Sequence, residues 1–256
     1  MATAVMRPVM ASADGVPRRR GERTRTIPEQ IADHLGIAIL NGEYRGGERV
    51  AEQEVAALYG VSRGPVREAI RALEKRGLVE LFPRRGAYVV DITLDAIADI
   101  FNIRAALLGL AARNLALRRD AADAVGELTE HAANIQRLAP LEDTDPVAFA
   151  LVVGRTGGIV YRQCGNAPLI RMLRQQNQGS LWGLIWRERP LDFFTPQRRV
   201  ETANDWTAMA KAIRSGDGAG AERIVRKALY DSRDGAMVTL RQLRGEQVDP
   251  SKLIRD

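Results

Sequence analysis

Residues 54–77 carry two short amphipathic helices separated by a tight turn, and few architectures accommodate both. The first helix has Val55, Leu58 and Tyr59 at spacings of three and four, which a helix places on one face. Gly60 stops it. Ser62 is an N-cap residue for the second helix, Pro65 falls in its first turn where a missing N–H costs nothing, and Val66, Ile70 and Leu73 form its inward stripe. Gly77 ends that helix. A turn of about three residues between two such helices is the helix-turn-helix spacing, in which the second helix lies in the major groove of DNA.

The outward face of the second helix carries Arg63, Arg67 and Arg71 at intervals of four. Guanidiniums on one side of a helix can pair bidentately with guanine O6 and N7 or grip phosphate. Taken alone, the same face also suits a solvated basic surface balanced by Glu68 and Glu74. Leu78–Phe82 and Ala87–Val90 follow as two β-prone runs, and the turn Pro83-Arg84-Arg85-Gly86 joins them. That hairpin is either an ordinary surface turn or the wing of a winged helix-turn-helix.

The combination resembles the GntR family of bacterial transcription regulators. The resemblance lies in Val61-Ser62-Arg63-Gly64-Pro65-Val66-Arg67-Glu68-Ala69, in Leu73 with Gly77-Leu78-Val79, and in Arg85-Gly86 at the wing. It implies base-reading and phosphate-gripping roles for Arg63 and Arg67, and wing contacts from Arg85 and Gly86 beside Arg84. Ser62 and Gly64 would approach phosphate, and Arg71 would extend the basic face. Gln53 stands where some members carry Arg at the start of the scaffold helix.

Composition bounds the rest. The chain's 256 residues suffice for two domains, and 45% hydrophobic with 27% charged residues is ordinary for a soluble globular protein. A net charge of +6 favours a polyanionic partner. The single Cys164 excludes an internal disulfide framework and fits a reducing cytoplasm; its apolar helical setting reads as packing. The most apolar stretch, Ala96–Leu117, is interrupted by Asp99, Asn102, Arg104, Arg113 and Asn114, so no membrane span is expected. Residues 1–25 lack periodicity and include Arg18, Arg19, Arg20, Arg23 and Arg25, which suggests a disordered arm, either solvated or lying along phosphates. Ile27 to Asn41 reads as the first helix of a winged domain spanning 26–91, with Ile31, Leu35, Ile39 and Leu40 inward, and a loop follows to Val50.

After the linker Asp91-Ile92-Thr93, with Thr93 a candidate N-cap, periodicity is helical throughout. Six helices are predicted, at about 94–118, 120–139, 146–164, 167–189, 197–215 and 217–244, before a tail over 245–256. The expected fold is mainly α: a winged helix-turn-helix followed by an all-α six-helix antiparallel bundle. The bundle resembles the effector domain of the FadR branch, of FCD type, through Phe101-x-x-Arg104 with Ala111-Ala112, Gly165-Asn166-x-x-Leu169, and Ala212-Ile213-Arg214-Ser215-Gly216-Asp217 before Ala221.

Many members of that branch hold a divalent metal through one Asp or Asn and three His. Counted from these anchors, the four ligand positions fall on Val153, Gly157, Trp206 and Ala228, none of which ligates. The chain has only two histidines, His34 and His131, so one chain cannot assemble a three-histidine site. The expectation is a metal-free effector pocket, without cofactor, that suits a more apolar ligand unless Trp206 fills it. Arg104, Arg155, Tyr161, Trp182 and Trp206, with Val153, Gly157 and Ala228, are its candidate lining; Arg162, Trp186 and the Gly154, Gly157, Gly158 cluster lie nearby. An arginine there would receive an acidic head group or pair with a neighbouring carboxylate.

No catalytic histidine pair, Gly-x-Ser-x-Gly or phosphate loop is present, which argues against an enzyme. The resemblance implies a homodimer on a palindromic double-stranded DNA operator, controlled by a small-molecule effector in the cytoplasm. The rival reading is an architectural DNA-binding protein without an effector.

Overall fold

The computed structural model describes residues 25–177, 182–183 and 191–255. The arm up to residue 24, Trp186 and most of the predicted helix beyond 177 lie outside the described residues. Two compact units divide after Asp91.

In the first unit α1 (Ile27–Leu40) precedes the two-residue strand β1 (Arg49–Val50), α2 (Glu52–Tyr59), α3 (Arg63–Lys75) and the hairpin β2 (Val79–Phe82) and β3 (Gly86–Val89). Thr26 and Glu29 form a reciprocal capping box at the start of α1: Thr26 N donates to Glu29 Oε2 at 2.8 Å and Glu29 N to Thr26 Oγ1 at 3.4 Å. Ile31, Leu35, Ile39 and Leu40 are buried as predicted, and so are Val66, Ile70 and Leu73 of α3. Gly60 caps α2 in the left-handed region at φ 65°, and Gly77 follows α3 at φ 72°. Arg25, assigned by sequence to the disordered arm, instead pairs with the buried Asp33 at 3.3 Å, and Arg76 meets that carboxylate at 2.7 Å.

Two expectations need correction in this unit. Leu58 is exposed, because the buried face of the eight-residue α2 is centred on Val55 and Ala56 and Leu58 lies off its edge. The loop to Val50 also hides a third strand: β1 pairs antiparallel with β3, Arg49 opposite Tyr88 and Val50 opposite Ala87, giving the order β1-β3-β2.

The second unit contains α4 (Leu94–Ala116), α5 (Ala122–Leu138), α6 (Pro146–Gln163), α7 (Ala167–Asn177), α8 (Pro196–Arg214) and α9 (Gly218–Arg244). Their ends follow local chemistry. Thr93, Asp145, Thr195 and Asp217 each accept a first-turn N–H, with proline following Asp145 and Thr195. Asn166 Oδ1 accepts from Leu169 N at 3.1 Å, so the Gly165-Asn166 break also begins α7. Long α4 is the centre of the bundle, packing on α9, α6, α8 and α7. No helix among the described residues is long and apolar enough to cross a membrane.

The predicted tail folds back on the bundle. A 3-10 turn, Pro250–Leu253, lies against α4 and α9. Arg233, fully buried on α9, donates to the carbonyls of Lys252 (3.1 Å), Leu253 (2.6 Å) and Ile254 (3.2 Å) and to Asn102 Oδ1 (2.7 Å). Lys252 pairs with Asp99, and Arg255 with Asp231 and Asp234.

Candidate functional site

On the first unit, burial of Val66, Ala69, Ile70 and Leu73 fixes the roll of α3 and turns Arg63, Arg67 and Arg71 outward. Ser62 has the extended backbone of an N-cap, yet its hydroxyl accepts no first-turn N–H. Ser62 and Gly64 are both exposed at the start of α3, where helix amides favour an anion. Gln53 is exposed on α2. Glu68 and Glu74 are not the carboxylates held by the front arginines; Glu52, at the start of α2, takes that role. Its Oε2 accepts from Arg63 Nε (3.2 Å) and Nη2 (2.8 Å) and from Arg67 Nε (2.9 Å). Partial burial pushes the Glu52 carboxyl up, but these hydrogen bonds and the two positive charges outweigh it and hold it below the ordinary 4.5.

At the hairpin tip Arg85 N donates to Phe82 O at 3.1 Å, with Pro83 and Arg84 between them. Arg84 has φ 64°, a left-handed conformation unusual for a branched-out side chain, in the turn position that ordinarily takes Gly or Asn. Arg85 lies 5.8 Å from the ring centroids of both Phe82 and Tyr88, which pack edge to face. Gly86 has φ 96° and admits the chain into β3. Arg84, Arg85 and Gly86 are all exposed.

The second unit has a partly open cavity of about 330 Å³ between α4, α6, α8 and α9. Seven predicted residues line it: Arg104, Val153, Gly157, Arg155, Tyr161, Trp182 and Trp206. Ala228 does not. Leu229 and Ser232 represent α9 in the lining, because one residue along a helix turns a side chain by about 100°. Trp206 is a wall and leaves the cavity open. The glycines explain the close approach: a Cβ on Gly157 would stand 3.3 Å from the Trp206 ring, and one on Gly158 would meet the Arg162 guanidinium at 2.6 Å. Gly154 faces open space.

Arg104 is the central feature of this cavity. Only 4% exposed, it stacks on Trp182 with 4.9 Å from guanidinium to ring centroid. Its Nη1 makes two long hydrogen bonds, to Leu173 O (3.4 Å) and Gln176 Oε1 (3.3 Å), and its buried Nε donates to nothing among the described residues. Burial pushes its pKa down to about 10. The lining also offers the Tyr161 hydroxyl, which accepts from Asn177, and Ser232 Oγ, which accepts from Arg198. It contains no carboxylate, imidazole or thiolate among the described residues, and its guanidiniums repel a cation, so it does not fit a divalent metal. His131 contacts Thr156 at 3.5 Å and has no part in the lining.

Comparison with known proteins settles the family. The profile "Bacterial regulatory proteins, gntR family" matches residues 27–89, and the FCD domain profile matches 99–231. The chain belongs to the gntR family, with an FCD domain. Among relatives, the uncharacterized HTH-type transcriptional regulator YdhC of Bacillus subtilis is 40% identical over 82 residues, 32% of this chain and 37% of that one. The gluconate operon transcriptional repressor of Bacillus subtilis is 30% identical over 120 residues, 47% of this chain and 49% of that one. The matches therefore span about half or less of those curated relatives. Of solved structures, Lar, which controls expression of the Listeria monocytogenes agr system, superposes with a TM-score of 0.63 at 19% identity, covering 84% of this chain and 98% of that one. E. coli McbR/YncC gives 0.52 at 20% identity, with 86% and 99% covered. At these identities the two structures share the gntR/FCD fold with this chain.

Sequence reasoning missed Glu52. The Glu at the mouth of α2 carries no periodic signal; only the fold brings it to arginines 11 and 15 residues away.

Proposed function

We propose that this gntR-family chain is a cytoplasmic DNA-binding transcriptional regulator, acting as a homodimer on a palindromic operator under control of a small-molecule effector held without a metal. The observation that carries the DNA reading is the outward row Arg63, Arg67 and Arg71 beside a wing bearing Arg84 and Arg85. Arg63 and Arg67 take base edges or phosphate, Arg71 and Arg84 take phosphate, and Arg85 with Gly86 enters the groove beside the helix. The repressor role of the Bacillus subtilis gluconate relative agrees with this reading. The dimer reading draws support from α4 and its C-cap, where Ile103, Leu110 and Leu117 stand seven residues apart and are 52%, 39% and 62% exposed, a stripe suited to a second helix.

Support for the effector reading comes from Arg104. A buried guanidinium on a tryptophan face, with weak neutral acceptors, suits a carboxylate carried on an apolar or aromatic body. Selection of duplexes from a random pool tests the DNA reading: a regulator separates the enriched duplex from a scrambled one by at least ~10³ in affinity, whereas equal affinities identify an architectural protein. Native mass spectrometry reports the dimer, and thermal-shift screening of monocarboxylates against unchelated protein reports the effector.

A further inference from the structure

Glu52 is placed where three N–H donors from two exposed arginines converge on one carboxylate oxygen. The Arg63 and Arg67 side chains are 59% and 56% exposed and that of Glu52 is 29% exposed. Exposed ion pairs contribute little to folding stability, because solvent screens them and ordering long side chains costs entropy. What a shared carboxylate does fix is direction. Arg67 is engaged through Nε alone, which aims its Nη1/Nη2 edge away from Glu52. That edge is the two-pronged donor that matches guanine O6 and N7. Arg63, engaged side-on through Nε and one Nη2 hydrogen, keeps the other Nη2 hydrogen and Nη1 for further contacts.

We propose that Glu52 is a positioning residue that sets base specificity: it aims the Arg67 fork toward a guanine and braces Arg63, while its own charge weakens adhesion to phosphate on every sequence. The inference rests on the DNA-binding reading. Orienting an exposed arginine before the encounter removes rotamer entropy that would otherwise be lost on binding, and this benefit is collected only where a guanine meets the aimed edge. A negative charge near the backbone penalises all sequences alike. The first effect separates cognate from non-cognate DNA, and the second lowers the affinity for both.

The test uses the full chain, a duplex that the wild-type protein enriches from a random pool, and a scrambled duplex of equal length, over a range of salt concentrations. Glu52→Gln keeps size and one acceptor but removes charge; Glu52→Ala removes both. In each variant, affinity for the scrambled duplex should hold or rise, affinity for the enriched duplex should fall, and their ratio should drop by about tenfold. Melting temperature should stay near that of wild type. In an Arg67→Ala background, Glu52→Gln should leave the ratio almost unchanged, because the group to be aimed is gone. An unchanged ratio, a parallel rise on both duplexes, or a parallel fall accompanied by lost thermal stability overturns the inference. If the wild-type protein enriches no duplex, the DNA-binding reading itself fails.

Discussion

Arg67 on α3 and Arg104 on α4 are opposite solutions to the same chemical group. Arg67 is solvated, where a guanidinium needs no counter-ion, and it has one in Glu52. Arg104 is desolvated, where the need is greatest, yet among the described residues it has the Trp182 ring and two long hydrogen bonds to a carbonyl and an amide, and no carboxylate. A carboxylate that stability does not require serves to aim; a carboxylate that stability does require, and that the described lining lacks, is left for a ligand to bring.

The strongest challenge to this contrast is Arg104→Met. It should abolish binding of any monocarboxylate that raises the melting temperature of the wild-type protein, by about 100-fold or more in calorimetry, while folded stability holds or rises because an uncompensated buried charge is gone. Gln176→Glu should sharpen the contrast by supplying an internal partner: ligand affinity falls and stability increases. The wild-type affinity should be flat around neutrality and decline as pH rises through about 10, where Arg104 loses its proton.

Next in size are the exposed arginines. Arg63→Ala or Arg67→Ala should cost about 1–3 kcal/mol of discrimination between enriched and scrambled duplexes in fluorescence anisotropy if each meets a base. Arg71→Ala should lower affinity on all duplexes and reduce the salt slope by about one. Smaller still is Arg84→Asn. Asn tolerates the left-handed region, so melting should show a gain of about 0.5–1 kcal/mol together with weaker DNA binding.

The smallest effect concerns pH. The folded-state pKa of Glu52 is lowered, so its contribution to stability is complete above its ordinary 4.5 and is lost as pH falls through the depressed value. Solvent screening keeps that contribution to a few tenths of a kcal/mol, and Glu52→Gln should remove the corresponding part of the acid limb of a stability curve.

Legibility in the sequence followed locality. Gly60, Ser62 and Gly77 bound the reader helix, and Val66, Ile70 and Leu73 set its roll, because caps and stripes act within a few residues. Thr93 was readable as a cap for the same reason. The two-residue strand β1 was not, since its pairing with β3 depends on residues nearly forty positions away and two residues carry no alternation. Of the four positions counted from the family's anchors, Val153, Gly157 and Trp206 line the cavity, and the miss at Ala228 is a single step of helical phase. The missing carboxylate around Arg104 was not legible, because Gln176 and Leu173 meet that side chain only through the packing of α4 on α7. Arg84 could not be read either, for a turn rich in Pro, Arg and Gly suggests glycine, not arginine, at the left-handed position.

The grip of Arg233 on the carbonyls of residues 252–254 has a practical side for anyone trimming this polypeptide. A version clipped after Val248 would keep every long helix, yet strand a guanidinium, sealed from water, with Asn102 and Asp234 as its remaining acceptors. Such shortening would be felt in the middle of the bundle and not at its fringe.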